Sequence, residues 1–190
     1  INSSFATFDG QIPYFLAKLI TRKKLYKISG SNLIYDVISK CKHDNLTLFL
    51  LGDTNENNQL AVERARDEFG IRCFGFSPPF SIYPFSIEVN QLIINEIKKS
   101  SPQYLFVGFG AKKQEYWIDE HQKILQEIGV KVVIGCGGTI TFLSGKLKRA
   151  PLWIQRCGLE GVYRLIQQPK LFRLYRLLKS LMMFRYVFEK

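Results

Sequence analysis

The 190-residue sequence lacks long hydrophobic runs and paired cysteines. No apolar run approaches the roughly 20 residues that a membrane-spanning helix needs, and no signal peptide is visible. Four cysteines are widely spaced, with no C-x-x-C pair: Cys41, Cys73, Cys136 and Cys157. We therefore expect buried free thiols in a reducing compartment, and neither a disulfide framework nor a zinc site is indicated.

Acidic residues are scarce in the last quarter of the chain. Residues 146–190 contain eleven lysines and arginines but only Glu160 and Glu189, a net charge of +9 out of +11 for the whole chain. A basic tail on a nearly neutral domain indicates an anionic partner, which can be nucleic acid, an acidic lipid surface or a phosphorylated substrate.

Apolar runs that are typical of buried strands alternate with stretches that have helical periodicity. The strands are predicted at residues 5–9, 25–30, 46–52, 71–75, 104–107 and 131–135. The helices between them are predicted at residues 12–21, 31–40, 56–69, 86–99 and from 112 onward. This alternation predicts an α/β fold, a Rossmann-like and mainly parallel sheet with helices on both faces. We expect residues 1–145 to form this domain and residues 146–190 to form a C-terminal helical appendage.

The stretch at residues 104–118 indicates a ligand site. A buried strand ends at Gly108 and Gly110, where the backbone can turn sharply and approach a ligand closely. A helix then begins at Lys112 and Lys113, so its N-terminal N–H groups and positive dipole end face outward. Two lysines run against the usual preference for acids at this position, which a bound diphosphate would explain. The alternative is an ordinary strand-to-helix turn with solvated lysines.

Glycine turns also occur at the carboxyl ends of the strands predicted at residues 25–30, 46–52 and 131–135, at Gly30, Gly52, Gly137 and Gly138. In parallel α/β sheets the carboxyl ends of the strands share one edge, where ligand groups collect. That edge is the predicted site. Asp9 lies at the carboxyl end of the first predicted strand, although Asp9-Gly10 taken alone is also a plain turn dipeptide.

The tail predicts short helices at residues 152–157 and 159–168 and a longer one at 171–188. Basic residues interrupt its apolar positions too often for a membrane span. A basic amphipathic helix fits a segment that lies on an anionic membrane surface. The alternative is a docked terminal helix with a solvated charged face.

Four motifs occur in the order and spacing of a known family. The segments GAKKQE, GGTITFLSG with RAP, EGVYRL and PKLFR resemble its G-x-P-K-Q-E, G-G-x-x-D-x-x-x-G with R-A-P, E-W-x-Y-R-L and P-R-x-x-R motifs. Over about residues 5–175 the chain thus resembles the bacterial WecG/TagA/CpsF glycosyltransferases. It departs from the family pattern at Asn32, Lys112, Thr141 and Gly161, where the family has aspartate, proline, aspartate and tryptophan.

The resemblance implies an inverting, metal-independent glycosyltransferase without a cofactor. It would move a sugar of the N-acetylmannosamine type, or a related hexose, from a UDP-sugar to a polyprenyl-diphosphate-linked sugar in cell-surface polysaccharide or teichoic acid synthesis. The family aspartate of D-G-x-P corresponds to Asp9, the general base, although the motif is longer by one residue here and reads DGQIP. The family glutamine corresponds to Gln114, a donor contact. The sequence contains no D-x-D, so charge on the leaving group would fall on cations and backbone N–H groups.

The resemblance and the glycine turns together assign residues to the two substrates. Those assigned to the donor and its diphosphate are Lys27, Gly30, Gly52, Gly108, Gly110, Lys113, Glu115, Gly137 and Gly138. Those assigned to the acceptor or the membrane are Arg149, Arg164, Lys170, Arg173 and Arg176.

The implied partners are a UDP-sugar, a lipid-linked acceptor and an anionic membrane surface. The implied location is the cytoplasmic, inner face of the bacterial plasma membrane, where the protein would be peripheral. The chain begins with Ile1, and a family strand with a T-x-N motif would precede it, so we expect an N-terminal piece to be missing. A homo-oligomer is left open.

Two other functions fit parts of the sequence. A nucleic-acid-binding α/β module would use the basic tail, where aromatic and arginine residues interleave, but it leaves Asp9 and the glycine turns unexplained. A nucleotide-binding oxidoreductase would need a G-x-G-x-x-G after the first strand, and the sequence has none there.

Overall fold

The computed structural model describes residues 11–25, 28, 30–148, 150–156, 159–167, 169, 171, 174–175 and 178–179. In this part of the chain a sheet is formed by β1 (Thr47–Gly52), β2 (Arg72–Phe76), β3 (Tyr104–Gly108) and β4 (Val132–Gly135). The strand order is β2-β1-β3-β4, and every neighbouring pair is parallel. All four strands therefore end at the same edge of the sheet.

The helices that the structure describes lie between and after these strands. They are α1 (Gln11–Thr21), α2 (Gly30–Asp44), α3 (Asn55–Asp67), α4 (Ile87–Ser100), α5 (Lys113–Ile128), α6 (Thr139–Leu143), α7 (Leu152–Arg156) and α8 (Glu160–Gln167). Two of them begin at side-chain caps, since Thr54 accepts a hydrogen bond from the N–H of Asn57 and Ser86 accepts one from Val89. Each cap satisfies an N–H group that the first turn of the helix leaves without a partner.

Helices cover both faces of the sheet. Leu48 and Leu50 of β1 pack on one side with apolar residues of α2, α3 and α6. Phe49 and Leu51 pack on the other side with residues of α4 and α5. Every residue of β1 is buried, as expected for an interior parallel strand that is covered on both sides. The predicted α/β fold with a parallel sheet and helices on both faces is thus confirmed.

Four of the six predicted strands are present, each within one residue of its predicted bounds. The strand predicted at residues 5–9 lies outside the described residues, as does most of the helix predicted at 171–188. The strand predicted at 25–30 is not found at its described residues Leu25 and Ile28, and α2 already begins at Gly30. Ile28 is 40% exposed, whereas a residue of an interior parallel strand is covered on both faces of the sheet.

The chain divides into two compact units. One contains Gly30–Leu147, with the whole described sheet, and the other combines parts of Phe5–Ser29 with parts of Lys148–Lys190. In the second unit the backbone of Lys148 is held by the side chain of Gln167, which donates to its carbonyl at 2.8 Å and accepts from its N–H at 3.2 Å. The predicted division at residues 145/146 stays a prediction. None of the helices described here is both long and apolar enough to cross a membrane.

The buried side chain of Asn58 is predicted to stabilise the end of β1. Its amide nitrogen donates to the carbonyl oxygens of Leu50 and Gly52, both at 2.9 Å. We expect Asn58→Ala to lower the free energy of unfolding by about 2 kcal/mol, because buried carbonyl groups lose a donor. Urea denaturation measures this. The control Gln59→Ala, an exposed neighbour on α3, should change it by less than about 0.5 kcal/mol, and equal effects of the two variants would contradict the assignment.

Candidate active site

Glycines lie where the carboxyl ends of β1, β3 and β4 meet. The strand register sets Gly52 opposite Gly108 and Val107 opposite Gly135. A Cβ placed on Gly52 would lie 3.0 Å from the carbonyl carbon of Gly108, and one on Gly108 would lie 3.1 Å from the carbonyl oxygen of Gly137. The backbone segments at this edge therefore approach too closely to leave room for side chains between them.

Gln114, in the first turn of α5, connects the glycine turns that follow β3 and β4. Its side-chain oxygen accepts hydrogen bonds from the N–H groups of Gly110 at 3.2 Å and Gly137 at 3.1 Å. Its amide nitrogen donates to a carboxylate oxygen of Glu115 at 2.9 Å. The residue is only 5% exposed. Gln114 thus fixes the turn after β3 against the turn after β4, and its predicted contact with a donor stays a prediction.

Gly30 belongs to the same edge, although it begins a helix. A Cβ placed on it would lie 2.9 Å from Oγ1 of Thr139 and 3.8 Å from the carbonyl oxygen of Cys136, both of which follow β4. The structure therefore brings together the predicted corners, which we call the glycine edge: Gly30, Gly52, Gly108, Gly110, Gly137 and Gly138. Their role in binding stays a prediction.

Part of the glycine edge borders open space. Among the described residues, apart from chain neighbours, no atom lies within 4 Å of a Cβ placed on Gly110, Gly137 or Gly138. Gly110 has a φ of 91°, which requires glycine, whereas Gly138 has an ordinary φ of −84°. Backbone without side chains that faces open space can be reached directly by the oxygen atoms of a ligand.

Two residues other than glycine have left-handed backbone angles at this edge. Asp53, directly after β1, has a φ of 64°, and Lys112, directly before α5, has a φ of 72°. Proline fixes φ at about −65°, so the proline of the G-x-P-K-Q-E motif could not adopt the conformation of Lys112. Strained residues of this kind are concentrated at functional sites. Lys113 begins α5 and Glu115 lies in its first turn.

Asp53 lies at this edge but was not among the site residues predicted from the sequence. Its Oδ1 accepts from the N–H of Thr54 at 2.7 Å and from the amide of Asn57 at 2.9 Å, and its Oδ2 accepts from the hydroxyl of Thr141. Thr141 stands where the family motif has an aspartate. In this chain the carboxylate next to that position is instead supplied by Asp53, at the end of β1. The available signal was an acidic residue at the carboxyl end of a predicted strand, the same position that singled out Asp9.

The thiol of Cys136 lies under the glycine edge in a neutral state. Burial, together with the negative charge of Asp53, raises the pKa of this thiol to about 12. Cys136 therefore does not supply a thiolate at neutral pH. Cys41 and Cys73 are free and buried, as predicted, and Cys157 lies outside the described residues. In the described ranges, no three side chains of His, Cys, Asp or Glu are grouped so that they could hold a metal ion.

Six predicted site residues lie outside the described residues. They are Asp9, Lys27, Arg149, Lys170, Arg173 and Arg176. Arg164 is described and lies on α8 in the second unit, with its guanidinium 3.8 Å from the carboxylate of Glu160 one turn earlier. The roles assigned to these residues stay predictions.

The fold and the glycine edge define a class: parallel α/β proteins that gather their ligand groups at the carboxyl edge of the sheet. The comparison with protein families is more specific, because the model of the Glycosyl transferase WecG/TagA/CpsF family matches residues 1–190. The chain belongs to this family.

The chain is also similar to proteins named N-acetylglucosaminyldiphosphoundecaprenol N-acetyl-beta-D-mannosaminyltransferase. It is 27% identical to the one from Bacillus spizizenii over 173 residues, which cover 90% of this chain and 64% of that protein. It is 29% identical to the one from Staphylococcus aureus strain MW2 over 189 residues, covering 99% of this chain and 70% of that protein. The chain thus spans less than two thirds of the length of the Bacillus spizizenii relative.

The strain at Lys112 can be tested through stability. We expect Lys112→Gly to raise the free energy of unfolding by about 1 kcal/mol, because glycine tolerates a positive φ. Denaturant unfolding measures this. The matched control Lys123→Gly, at an exposed position inside α5, should lower it by about 1 kcal/mol. A loss of stability in Lys112→Gly similar to that of the control would contradict the strained conformation.

Proposed function

We propose that this protein is a glycosyltransferase that moves an N-acetylmannosamine-type sugar from a UDP-sugar to N-acetylglucosamine on a polyprenyl diphosphate. The family match over the whole chain and the names of the relatives support this proposal. The observation that carries it is the position of Gln114: the glutamine of the family-like motif is buried at the glycine edge, where it joins two turns. The product would serve the synthesis of teichoic acid or another cell-surface polysaccharide.

The diphosphate of the donor would bind at the open part of the glycine edge. The first turn of α5 has N–H groups that the helix itself does not use, and its dipole favours a negative charge at this end. Lys112 and Lys113 add positive charge at the same place. Fixed donors and cations of this kind stabilise the charge that develops on UDP as it leaves, without rearranging during the reaction.

The transfer itself would be a single displacement with inversion. Asp9 would take the proton from the acceptor hydroxyl while that oxygen forms a bond to C1 of the donor sugar. The bond from C1 to the diphosphate oxygen would break in the same step, and UDP would leave with the electron pair. The assignment of Asp9 follows the family motif.

Asp53 is better suited to positioning than to proton transfer. Both of its carboxylate oxygens already accept hydrogen bonds, from Thr54 and Asn57 on one side and from Thr141 on the other. We assign it the task of orienting Thr141, so that the hydroxyl of Thr141 faces a hydroxyl group of the donor. Asp9 and Asp53 would then act on different substrates.

The second unit would bring the protein to the bilayer that holds the acceptor. Several of its apolar side chains are exposed, among them Phe15, Leu19, Ile20, Trp153, Ile166 and Leu171. The tail also carries most of the net positive charge of the chain. Exposed apolar groups together with basic residues favour an anionic membrane surface. The protein would be peripheral on the inner face of the membrane, with Arg149, Arg164, Lys170, Arg173 and Arg176 near the acceptor diphosphate or lipid headgroups.

Sugar transfer is the direct test. We expect protein that includes any segment preceding Ile1 to move radiolabelled sugar from UDP-N-acetylmannosamine to a short-chain lipid-diphosphate-N-acetylglucosamine. Asp9→Asn should lower kcat by about 10²- to 10⁴-fold, the usual contribution of a general base. A panel of UDP-sugars in a thermal-shift assay checks the donor, because a ligand that binds the native state raises Tm. The absence of transfer, or an Asp9→Asn variant as active as the wild type, would refute the proposal.

The two aspartates should differ in their kinetic effects. We expect Asp53→Asn to raise KM for the donor about tenfold with kcat nearly unchanged, because a bound hydroxyl loses its oriented partner. Steady-state kinetics with varied UDP-sugar measures both constants. Asp67→Asn, at the exposed end of α3, is the control. A loss of kcat in Asp53→Asn as large as that expected for Asp9→Asn would contradict the positioning role and indicate Asp53 as the general base.

A further inference from the structure

The loop between β2 and α4 has an unusual composition. No Asp, Glu, Lys, Arg or His occurs between Arg72 and Glu88, although charged residues make up 23% of the chain. The loop itself, residues 77–86, contains three prolines and three aromatic residues. Surface loops are normally polar, so this composition needs a reason beyond linking two elements.

Both ends of the loop are fixed at the carboxyl edge of the sheet. The hydroxyl of Ser77 donates to the carbonyl oxygen of Gly52 at 3.0 Å. At the other end, the ring of Phe85 meets the ring of Phe109 edge to face, with 5.1 Å between centroids. Phe109 lies between Gly108 and Gly110 in the chain. The loop is therefore anchored directly on the glycine edge.

Tyr83 extends this anchor to α5, since its ring stacks on that of Tyr116 with 6.4 Å between centroids. The amide of Asn90 on α4 donates to the carbonyl of Phe85 at 3.2 Å. These contacts hold residues 83–85. Residues 79–82, which we call the apolar tip, extend beyond them.

The apolar tip is exposed to solvent. Phe80 is 96% exposed and Ile82 is 83% exposed, and Ile87, at the start of α4, is 82% exposed. Single exposed apolar residues are common on protein surfaces, but Phe80 and Ile82 lie two positions apart on one anchored loop, and exposed apolar groups that lie together mark an interaction surface. Because Phe80 and Ile82 are not part of the core, their side chains are available to contact a partner.

We propose that the apolar tip inserts into the lipid bilayer and so brings the glycine edge to the membrane-bound acceptor. This inference rests on the proposed function for its purpose, because a polyprenyl-linked acceptor has its diphosphate at the bilayer surface. The apolar tip and the glycine edge both lie at the carboxyl edge of the sheet. Insertion of the tip would therefore bring the glycine edge to the bilayer surface.

The size of the apolar tip favours lipid over a second protein. A stable protein interface covers roughly 800 Å² on each partner, whereas a large side chain such as Phe80 buries about 150–250 Å². Two side chains are thus too few for a stable protein interface, but a bilayer accepts individual side chains and its headgroups supply further contacts. The exposed Lys112, three residues after Phe109, and the net charge of +11 favour anionic lipids.

Vesicle binding tests the proposal. We expect the double variant Phe80→Ser/Ile82→Ser to partition about tenfold more weakly onto phosphatidylcholine vesicles with about 30% phosphatidylglycerol, because two apolar groups no longer enter lipid. Leu92→Ser, at a 41% exposed position on α4 outside the tip, should bind like the wild type. Phe80→Trp in a Trp153→Phe background should shift its fluorescence to the blue and be quenched by brominated lipid.

The outcomes separate this proposal from the proposed function. If the double variant keeps wild-type turnover on a short-chain acceptor in solution but loses vesicle binding, the inference is supported. Weaker vesicle binding by the double variant supports it even if no form of the protein transfers sugar, and only the proposed function then fails. Vesicle affinities of wild type and double variant within about twofold of each other would overturn it. So would loss of self-association without any change in vesicle binding, because a second copy would then cover the tip.

Discussion

The parallel pairing of β1 with β3 is the constraint on which the site depends. Parallel strands end at the same edge, and the register places Gly52 against Gly108 at the last paired position. Their backbones lie so close that a single Cβ between them would meet neighbouring atoms at 3.0 Å. Close packing of this kind turns three separate loops into one continuous backbone surface, which Gln114 then joins through the N–H groups of Gly110 and Gly137. A buried side chain thus holds this surface together, and in the part of the chain that the structure describes no atom other than those of chain neighbours lies within 4 Å of a Cβ placed on Gly110, Gly137 or Gly138.

A backbone surface has physical advantages for binding a charged leaving group. Peptide N–H groups at a helix start are already oriented, so little rearrangement is needed when charge develops on a bound group. The strained angles of Asp53 and Lys112 suggest that local conformational stability is given up at this edge. Support comes from the well-packed layers on either side of the sheet, where the side chains of β1 are fully buried. The well-packed layers on both faces of the sheet thus hold the residues with strained backbone angles in place.

The sequence predicted the sheet better than the site, for a physical reason. Buried parallel strands leave continuous apolar runs, so residues 46–52 and 104–107 could be recognised without a structure. The common edge followed from chain direction alone. The contacts across it did not follow, because the hydrogen bond from Thr141 to Asp53 joins residues 88 positions apart in the chain. Nor did the apolar run at residues 25–30 indicate that Ile28 is exposed. The helix predicted to follow this run, at residues 31–40, begins one residue earlier, at Gly30.

The same topology links the site to the direction from which a substrate can arrive. In a parallel sheet, every loop that follows a strand emerges at the carboxyl edge, and every loop that precedes one emerges at the opposite edge. The loop with Phe80 and Ile82 follows β2, and it is packed through Phe85 on the turn after β3. A lipid contact made by that loop therefore turns the glycine edge toward the bilayer, whereas a contact at the opposite edge would turn it away. In the membrane contact that we propose, the position of the apolar tip after β2 would therefore orient the sheet, in addition to any contact that the second unit makes.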